Sequence, residues 1–570
     1  PLAELAAREL LGGGVPGSIP LVQHLTLWIT FVGAGLAARS ERLLALSTGQ
    51  FLPARWRNGV KLLRTFLAVV ITVLLTVASA ELLATDFRFG GIAAWGLPVW
   101  AFTAIMPVAF AVITLRLIGK SAEGLRGRAI AAAGVAAALL FFAVPGEPGA
   151  ASVVLLASVL GVGTLLGMPI FAALGGAALL LFWQEGSPIS AVPGEAYRIS
   201  TSPMLPAIPL FTLAGYILAE GGSSRRLLRL CAALVGWMPG GLAVVVTLVL
   251  AFFTPLTGAS GITILAMGGL LLPMLVEGRY PERSALGLVT VSGSIGVLFP
   301  PSLPVILYAY YADIDLDRLF IAGILPGAVL VAAVAAWGAW RGATDRAVRT
   351  EFDARELGAA LWRARWELLL PVVVLFGLFG GFATLVEAAA ITVLYAFLLE
   401  CVVLRELEWR RLGSVAVESA TLIGGFMIIV GVALGLTSYL VVAQIPMRVV
   451  DGVQRLIESP WLFLLALNAL LIVVGALMDI YSAIIVLVPL LAPLAGAYGV
   501  DPVHLGVIFL ANMELGYLVP PMGENLFLSA YRFDRPLAEL YRCVLPYIAI
   551  ILAVVLLITY VPALTLQLGR

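Results

Sequence analysis

The chain has 570 residues, 61% of them hydrophobic and 12% charged, with a formal net charge of +1 and a mean hydropathy of +1.06. Soluble domains carry about 25% charged residues, so the composition excludes an ordinary soluble protein, and the near-zero charge balance argues against nucleic acid as a partner. Apolar runs long enough to cross a bilayer core recur throughout, which predicts a bundle of about 14 to 17 membrane segments.

In chain order, the first part predicts spans near 19–38, 62–83, 98–118 and 128–145. Basic residues collect between alternate spans: Arg39, Arg42, Arg55, Arg57, Lys61 and Arg64 in one loop, Arg116, Lys120, Arg126 and Arg128 in another. The intervening stretch 84–97 holds only Arg88 and one Asp. The positive-inside rule then places the two basic loops in the cytoplasm and Trp95 and Trp100 in an outer aromatic belt. Pro145-Gly146-Glu147-Pro148-Gly149 is a turn-rich break and divides the chain into 1–145 and 146–570. The chain opens on Pro1, so the expectation is that it was processed or that its natural start lies upstream; a signal peptide cannot be judged from it.

The second part predicts continuous spans near 150–183, 204–219, 319–340, 367–384, 386–404, 415–440 and 541–566. Four further segments, 241–277, 284–311, 461–498 and 502–530, are interrupted by Gly, Pro and small polar residues. The charged stretches 343–366 and 405–411 are separated by two spans, which allows both to lie on the cytoplasmic side. Arg225, Arg226 and Arg229 sit at helical spacing beside Leu227, Leu228, Leu230, Leu234 and Val235. That pattern fits an amphipathic helix lying in the interface, with the basic end of an ordinary span as the alternative. Cys231, Cys401 and Cys543 lie far apart and read as small core residues rather than a disulfide framework.

The interrupted segments form one pattern used twice. Pro255-Leu256-Thr257-Gly258-Ala259-Ser260-Gly261-Ile262-Thr263 is followed by Pro273 and then by Gly296-Val297-Leu298-Phe299-Pro300-Pro301-Ser302. Gly475-Ala476-Leu477-Met478-Asp479-Ile480-Tyr481-Ser482 is followed by Pro493 and then by Gly516-Tyr517-Leu518-Val519-Pro520-Pro521-Met522-Gly523. The step from the single Pro to the Pro-Pro pair is 27 residues in both halves. Broken helices in corresponding positions of two halves point to the binding site of a secondary transporter. The expected fold is therefore an all-α polytopic membrane protein with two inverted repeats. Each repeat has a re-entrant hairpin, near 241–277 or 461–498, beside an unwound helix. A helix-packing motif of small residues is the competing reading of Thr257–Gly261.

In hydrocarbon every freed backbone group needs a partner. Freed carbonyls, with the hydroxyls of Thr257, Ser260, Thr263 and Ser302, are hard oxygen ligands suited to Na⁺. One cation site is expected at Thr257, Gly258, Ser260 and Thr263 with Gly296, Pro300 and Ser302. The other is expected at residues 477–482, including Asp479, with Val519, Pro520 and Gly523. Helix N-termini there favour an anionic substrate group, expected near Ser260, Pro301, Ser302, Asp479, Ser482 and Asn525. An acid inside an apolar run is costly and functional by default, which singles out Asp479; a helix N-cap is its other reading. The equivalent position in the first half is Ala259, so the two sites need not be equal. Glu387, Glu514 and Glu524 read as capping or interfacial acids. His24 and His504 are the only histidines, no transition-metal site is expected, and no HExxH, GxSxG or P-loop motif occurs. An ion gradient is the natural energy source.

Several stretches resemble the large membrane subunit of tripartite ATP-independent periplasmic (TRAP) transporters. They include Gly167-Met168-Pro169-Ile170, Pro209 to Gly215, Pro239-Gly240-Gly241-Leu242, the first hairpin, Pro300-Pro301-Ser302 and Phe320 to Gly327. Asp501 to Gly506, Pro520-Pro521-Met522-Gly523 and Asn525-Leu526-Phe527 extend the likeness over roughly 150–566. Gln23-His24-Leu25 through Phe31-Val32-Gly33-Ala34-Gly35 is similar, more weakly, to the second span of the small membrane subunit, whose usual first span has no counterpart here. The resemblance implies a fused small-plus-large permease of the bacterial inner membrane. It further implies an elevator mechanism, Na⁺ as coupling ion with no covalent cofactor, and a periplasmic binding protein that delivers an organic anion. Residues 19–145 carry no broken helix and no small-polar hairpin tip, which predicts that 1–145 is a static scaffold. Two departures stand out: the first hairpin has fewer hydroxyls than usual, and Val519 replaces the usual Thr before the second Pro-Pro. Glu524 is a further oddity, at a position where the family often has an apolar residue. The alternatives are a stand-alone dicarboxylate or citrate-type transporter of the same broad fold, an integral-membrane enzyme and a channel. No nucleophile–base pair supports an enzyme, and paired hairpins disfavour a channel.

Overall fold

The computed structural model describes residues 1–567 except 42, 44, 46–53, 122–124, 144–149, 203–204, 258–259, 346–350, 478–479 and 521–522. It is an all-α polytopic membrane protein. Among the described residues, 8 helices are long and apolar enough to cross a bilayer, and shorter apolar helices of 10–17 residues accompany them. Helix suits apolar runs of this length, because it pairs their backbone groups within the segment, where lipid offers no partner.

The helices run α1 Leu2–Leu11, α2 Ser18–Arg39, α3 Ala54–Phe89, α4 Val99–Thr103, α5 Ile105–Gly119, α6 Leu125–Ala143, α7 Ala150–Leu165, α8 Ile170–Gln184, α9 Ala191–Ser200 and α10 Ala207–Glu220. They continue with α11 Ser223–Val235, α12 Gly241–Thr257, α13 Ser260–Glu277, α14 Glu282–Ser292, α15 Leu303–Ala312, α16 Leu316–Thr344, α17 Ala354–Arg363, α18 Arg365–Phe379 and α19 Leu385–Phe397, which widens into a π-helical turn over Leu398–Val403. The last are α20 Trp409–Val442, α21 Ile445–Leu456, α22 Pro460–Leu477, α23 Ile480–Ala497, α24 Pro502–Gly516, α25 Glu524–Phe533, α26 Leu537–Tyr560 and α27 Ala563–Leu566. A two-stranded hairpin, β1 Ile92–Ala94 with β2 Leu97–Pro98, follows α3. Trp95 and Gly96 turn it with positive φ of 49° and 79°. Two such residues match the turn to the strand twist, a signal overlooked when 84–97 is read as a plain loop.

The chain forms two compact units, 1–209 with 416–446 and 210–415 with 447–570. In the first, α3 is the central helix, with α5, α6, α7, α8 and α9 packed on it. Its Thr72, Thr76 and Ser79 hydroxyls donate to carbonyls one turn back, so it carries polar side chains at no cost in unpaired groups. α2 and α20 cross at Gly33 and Gly424, where an added Cβ would lie 2.1 Å from backbone atoms of the other helix. His24 bridges Pro20 O (2.6 Å) and Tyr197 Oη (2.9 Å), tying α2 to α9. At its outer edge Glu4 of α1 accepts hydrogen bonds from Val15 N (2.8 Å) and Ser18 Oγ (2.5 Å).

The second unit holds both interrupted segments of each half. Its packing is reciprocal: α13 lies on α25 and α23 on α15, while α14 meets α26 and α24 meets α16. Local geometry repeats as well. α13 ends with Arg279 at φ 61° and a Tyr280 N to Leu275 O bond of 3.0 Å; α23 ends with Gly499 at φ 72° and a Val500 N to Ala495 O bond of 3.0 Å. α15 and α25 are each 10 residues long and end on an aspartate, Asp313 and Asp534, at φ 51° and ψ 48°. The 27-residue spacing thus marks a repeated structural unit.

Candidate functional site

In each half a junction between two helices meets a loop around a Pro-Pro pair. α12 ends at Thr257 and α13 starts at Ser260, while α22 ends at Leu477 and α23 starts at Ile480; the hairpin tips expected within 241–277 and 461–498 fall on 258–259 and 478–479, outside the described residues. The loops unwind where the sequence places Gly and Pro-Pro: α14 stops at Ser292 and α15 starts at Leu303, α24 stops at Gly516 and α25 starts at Glu524. Gly296 and Gly516 each accept a turn hydrogen bond of 3.0 Å, from Phe299 N and Val519 N respectively.

Glycine sets the approach of loop to junction. A Cβ on Gly296 would lie 2.4 Å from Ala251 O and 3.0 Å from Pro255 Cδ, on the arm leading into the first junction. One on Gly516 would lie 2.6 Å from Gly475 Cα, on the arm leading into the second. Pro255 and Gly475 hold the same place in the two repeats. Hydrogen bonds add to the glycine contacts. Thr254 Oγ1 lies 2.7 Å from Leu250 O and 3.0 Å from Gly293 O. The Ile480 N–H, the first of α23, donates to Tyr517 Oη at 2.7 Å. These contacts set the end of α12, at Ala251, Thr254 and Pro255, against Gly293 and Gly296, and set Gly475 and Ile480 against Gly516 and Tyr517.

The individual candidates fall as follows. Gly258 and Asp479 lie outside the described residues, as do the side chains of Thr257 and Ser260. Thr263 and Ser482 are buried in the first turns of α13 and α23. Ser302 is buried at the N-cap of α15, Pro301 is buried beside it, and Pro300 and Val519 are half-buried while Pro520 is exposed. Gly523 is the buried N-cap of α25, where a Cβ would lie 2.4 Å from Tyr517 O. Asn525, in the first turn of α25, is fully buried, and neither of its amide atoms has a hydrogen-bond partner.

Three acids resolve differently. Glu387 is a capping residue: its Oε2 accepts from Thr384 N (2.8 Å) while its own N–H donates to Thr384 Oγ1 (3.3 Å). Glu514 is not interfacial. It is 1% exposed inside α24, with Oε1 unpartnered. Glu524 is half-buried in the first turn of α25. Sequence reasoning missed the polar ladder between α22, α24 and α26, in which Asn512 Nδ2 donates to Asn468 Oδ1 (2.7 Å) and Thr559 Oγ1 donates to the same oxygen (3.1 Å). It also missed the Thr290 Oγ1 to Ser529 Oγ bond of 2.9 Å, which joins α14 to α25. An Asn inside the apolar run 460–477 was the available signal.

The profile of the tripartite ATP-independent periplasmic transporter DctM component matches residues 156–564, and that of the DctQ component matches residues 1–127. The chain belongs to this transporter family, with both membrane components fused. An isethionate TRAP transporter permease protein DctMQ from Oleidesulfovibrio alaskensis is 32% identical over 95% of this chain and 87% of its own length. The C4-dicarboxylate TRAP transporter large permease protein DctM of Pseudomonas aeruginosa is 34% identical over 69% of this chain and 92% of its own. The 2,3-diketo-L-gulonate large permease protein YiaN of Escherichia coli is 30% identical over 70% and 95%. A solved chain, the Alcanivorax borkumensis YdaH transporter described as having an unusual topology, aligns over 64% of this chain and 88% of its own. Its TM-score of 0.48 at 13% identity is too loose to carry an argument. The protein is thus a multi-pass TRAP permease of the bacterial inner membrane.

One further cluster in the permease differs from its sequence-based reading. Arg226 of α11 does not share an outward basic face with Arg225 and Arg229, which are exposed. It is 10% exposed and contacts three carboxylates: Glu367 of α18, Glu400 of the π-turn (2.6 Å) and Glu406 (2.5 Å). Glu400 also accepts from Gly222 N (3.0 Å) and Ser223 Oγ (2.5 Å). A Cβ on Gly222 would lie 1.2 Å from Glu406 Oε2, so in this arrangement the glycine leaves the space that the Glu406 carboxylate occupies. Beyond α11, just before α12 begins, Tyr280 Oη donates to Gly240 O at 2.7 Å. The carboxylate cluster thus fixes the first turn of α11.

Proposed function

We propose that this permease is a sodium-gradient-driven importer of a small organic anion, a carboxylate or related acid, delivered by a periplasmic binding protein. The observation that carries the reading is the repeated pairing of a helix junction with a Pro-Pro loop. Each pairing sets loop backbone beside a helix N-terminus, at Ser302 of α15 and Gly523 of α25; loop carbonyls suit a hard cation and a helix N-terminus suits an anion. The named relatives, for isethionate, C4-dicarboxylates and 2,3-diketo-L-gulonate, all carry small organic acids. A coupled cation supplies the drive, since one charge crossing 100 mV yields about 2.3 kcal/mol.

In this reading the junctions are re-entrant hairpin tips that move with their loops, and residues 1–145 stay fixed as a scaffold. Thr257, Gly258, Ser260 and Thr263 with Gly296, Pro300 and Ser302 bound the first cation site. Asp479, Val519, Pro520 and Gly523 bound the second. Ser260, Pro301, Ser302, Asp479, Ser482 and Asn525 face the substrate. Uptake into proteoliposomes, with and without a Na⁺ gradient and the binding protein, tests the reading. Asp479→Asn should lower Na⁺-dependent uptake well below that of Glu147→Gln, a loop acid outside the repeats. Uptake indifferent to Na⁺, or equal in the two variants, would contradict it.

A further inference from the structure

A crevice of about 560 Å³ opens in the second unit beside the first Pro-Pro loop. One wall is the half-exposed stripe Val244, Leu248 and Phe252 of α12, which leads to Pro255. The opposite wall is Ala328, Val331, Ala332 and Ala335 of α16, and Phe299, Pro300 and Pro301 close the inner end. Pro371 of α18 lies at its side. All of these side chains are apolar. Protein interiors leave few voids larger than a water molecule, and a site without polar partners does not hold ordered water. A hydrocarbon occupant fits such a lining.

The shape and the surroundings identify that occupant. From Val244 to Pro255 the crevice follows about 16 Å of helix, a long and narrow form. Its mouth runs into lipid-facing surface: Ala328 and Ala332 are exposed in line with the exposed Ile324, and Val372 and Phe376 next to Pro371 are 58% and 66% exposed. In a polytopic membrane protein that surface is covered by acyl chains. We propose that this crevice is a binding site for a single phospholipid acyl chain, which enters between α12 and α16 and ends against Phe299–Pro301. Small side chains at Ala328, Ala332 and Ala335 leave the room for it. Because Gly296 packs the same loop against Ala251 and Pro255, the chain would touch the surfaces that hold loop and junction together. The inference needs only the membrane placement of the protein and is independent of the transport reading above.

The test uses the full-length permease in vesicles of phosphatidylcholine and phosphatidylglycerol. A small share of the lipid carries a diazirine near the end of one acyl chain. After irradiation, adducts are mapped by peptide mass spectrometry. Adducts should concentrate severalfold on 244–255, 299–301 and 328–335 relative to Val372 and Phe376. Ala332→Phe, which fills the mouth, should remove the crevice adducts and leave those at Val372 and Phe376; Ala328→Leu serves the same purpose if the larger residue prevents folding. Wild-type labelling no denser in the crevice than at Val372 and Phe376 would overturn the proposal. So would crevice adducts that persist in a folded filling variant.

Discussion

Replacing Arg226 by Ala should be among the most destabilising single changes in the permease. The guanidinium reaches three carboxylates whose side chains are 2% (Glu367), 0% (Glu400) and 38% (Glu406) exposed. Removing one partner of a buried pair costs about 3–5 kcal/mol, because the remaining charge is left in a medium that cannot solvate it. Here two buried carboxylates lose their cation together, which places Arg226→Ala toward the upper part of that range. Glu406 is exposed enough for water to screen it, so Glu406→Gln should cost only about 0–1 kcal/mol. Arg226→Lys should fall between, since an ammonium cannot present the planar fork that serves several oxygens at once. Thermal unfolding of the purified protein in detergent, at fixed pH and salt, ranks the three. A compensated variant, Arg226→Met with Glu367→Leu and Glu400→Leu, should recover most of the loss, because removing a whole buried cluster is often close to neutral. If Arg226→Ala melted with Glu406→Gln, or if the compensated variant were no better than Arg226→Ala, the cluster would not hold α11 as argued.

Two other outcomes follow from single contacts. Gly516→Ala should cost about 1–3 kcal/mol by overpacking, because its Cβ would lie 2.6 Å from Gly475 Cα and backbone cannot yield as a side chain can; Gly413→Ala, with nothing within 4 Å, is the control in the same unfolding assay. Glu4 is held below the ordinary carboxylate range, first by the Ser18 hydroxyl and then by the Val15 N–H. A depressed folded pKa means that the docking of α1 is fully present above the unfolded value and is lost as pH falls through the folded one. The protection factor of the Val15 N–H, its intrinsic over its observed exchange rate at each pH, should therefore fall on acidification in the wild type and lose that pH dependence in Glu4→Gln.

Much of this architecture was legible because membrane helices announce themselves by length and hydropathy, and because the two halves repeat their breaks in register. Gly296, Pro300, Gly516 and Pro520 act locally: they cannot continue a helix comfortably, so their effect is visible without tertiary context. What stayed hidden depends on contacts between distant segments. Arg226 looks like part of a basic face when only α11 is considered; Glu367, Glu400 and Glu406 reach it from 141 to 180 residues away. Glu514 reads as interfacial because Pro-Pro follows closely, yet helices on every side bury it. The hairpin at 92–98 and the amphipathic helices α17 and α21 escaped because short or half-polar elements give weak hydropathy signals.

The two halves are alike in backbone but unequal in chemistry, and the inequality is concentrated in the second. Asp479 stands where the first half has Ala259, Glu514 where it has Ser294, and Tyr517 where it has Val297. The Tyr517 hydroxyl is the informative member, because it satisfies the first N–H of α23 from across the loop. In the first half no tyrosine can make the equivalent bond. The Ile480–Tyr517 bond ties the start of α23 to the Pro-Pro loop, and the proposed second cation site depends on that tie. Tyr517→Phe removes one oxygen and leaves a buried N–H unpaired, at a cost of about 1–3 kcal/mol. If that cost falls on the closed arrangement of junction and loop, the corresponding coupling is about 5–150-fold. The half-saturating Na⁺ concentration for uptake should then rise within that range. Tyr560→Phe, which loses an exposed bond to Trp461 O, should leave it unchanged. A folded Tyr517→Phe permease with wild-type Na⁺ dependence would show that the hydroxyl serves packing alone, and would move the functional weight of the second half onto Asp479 and the loop carbonyls.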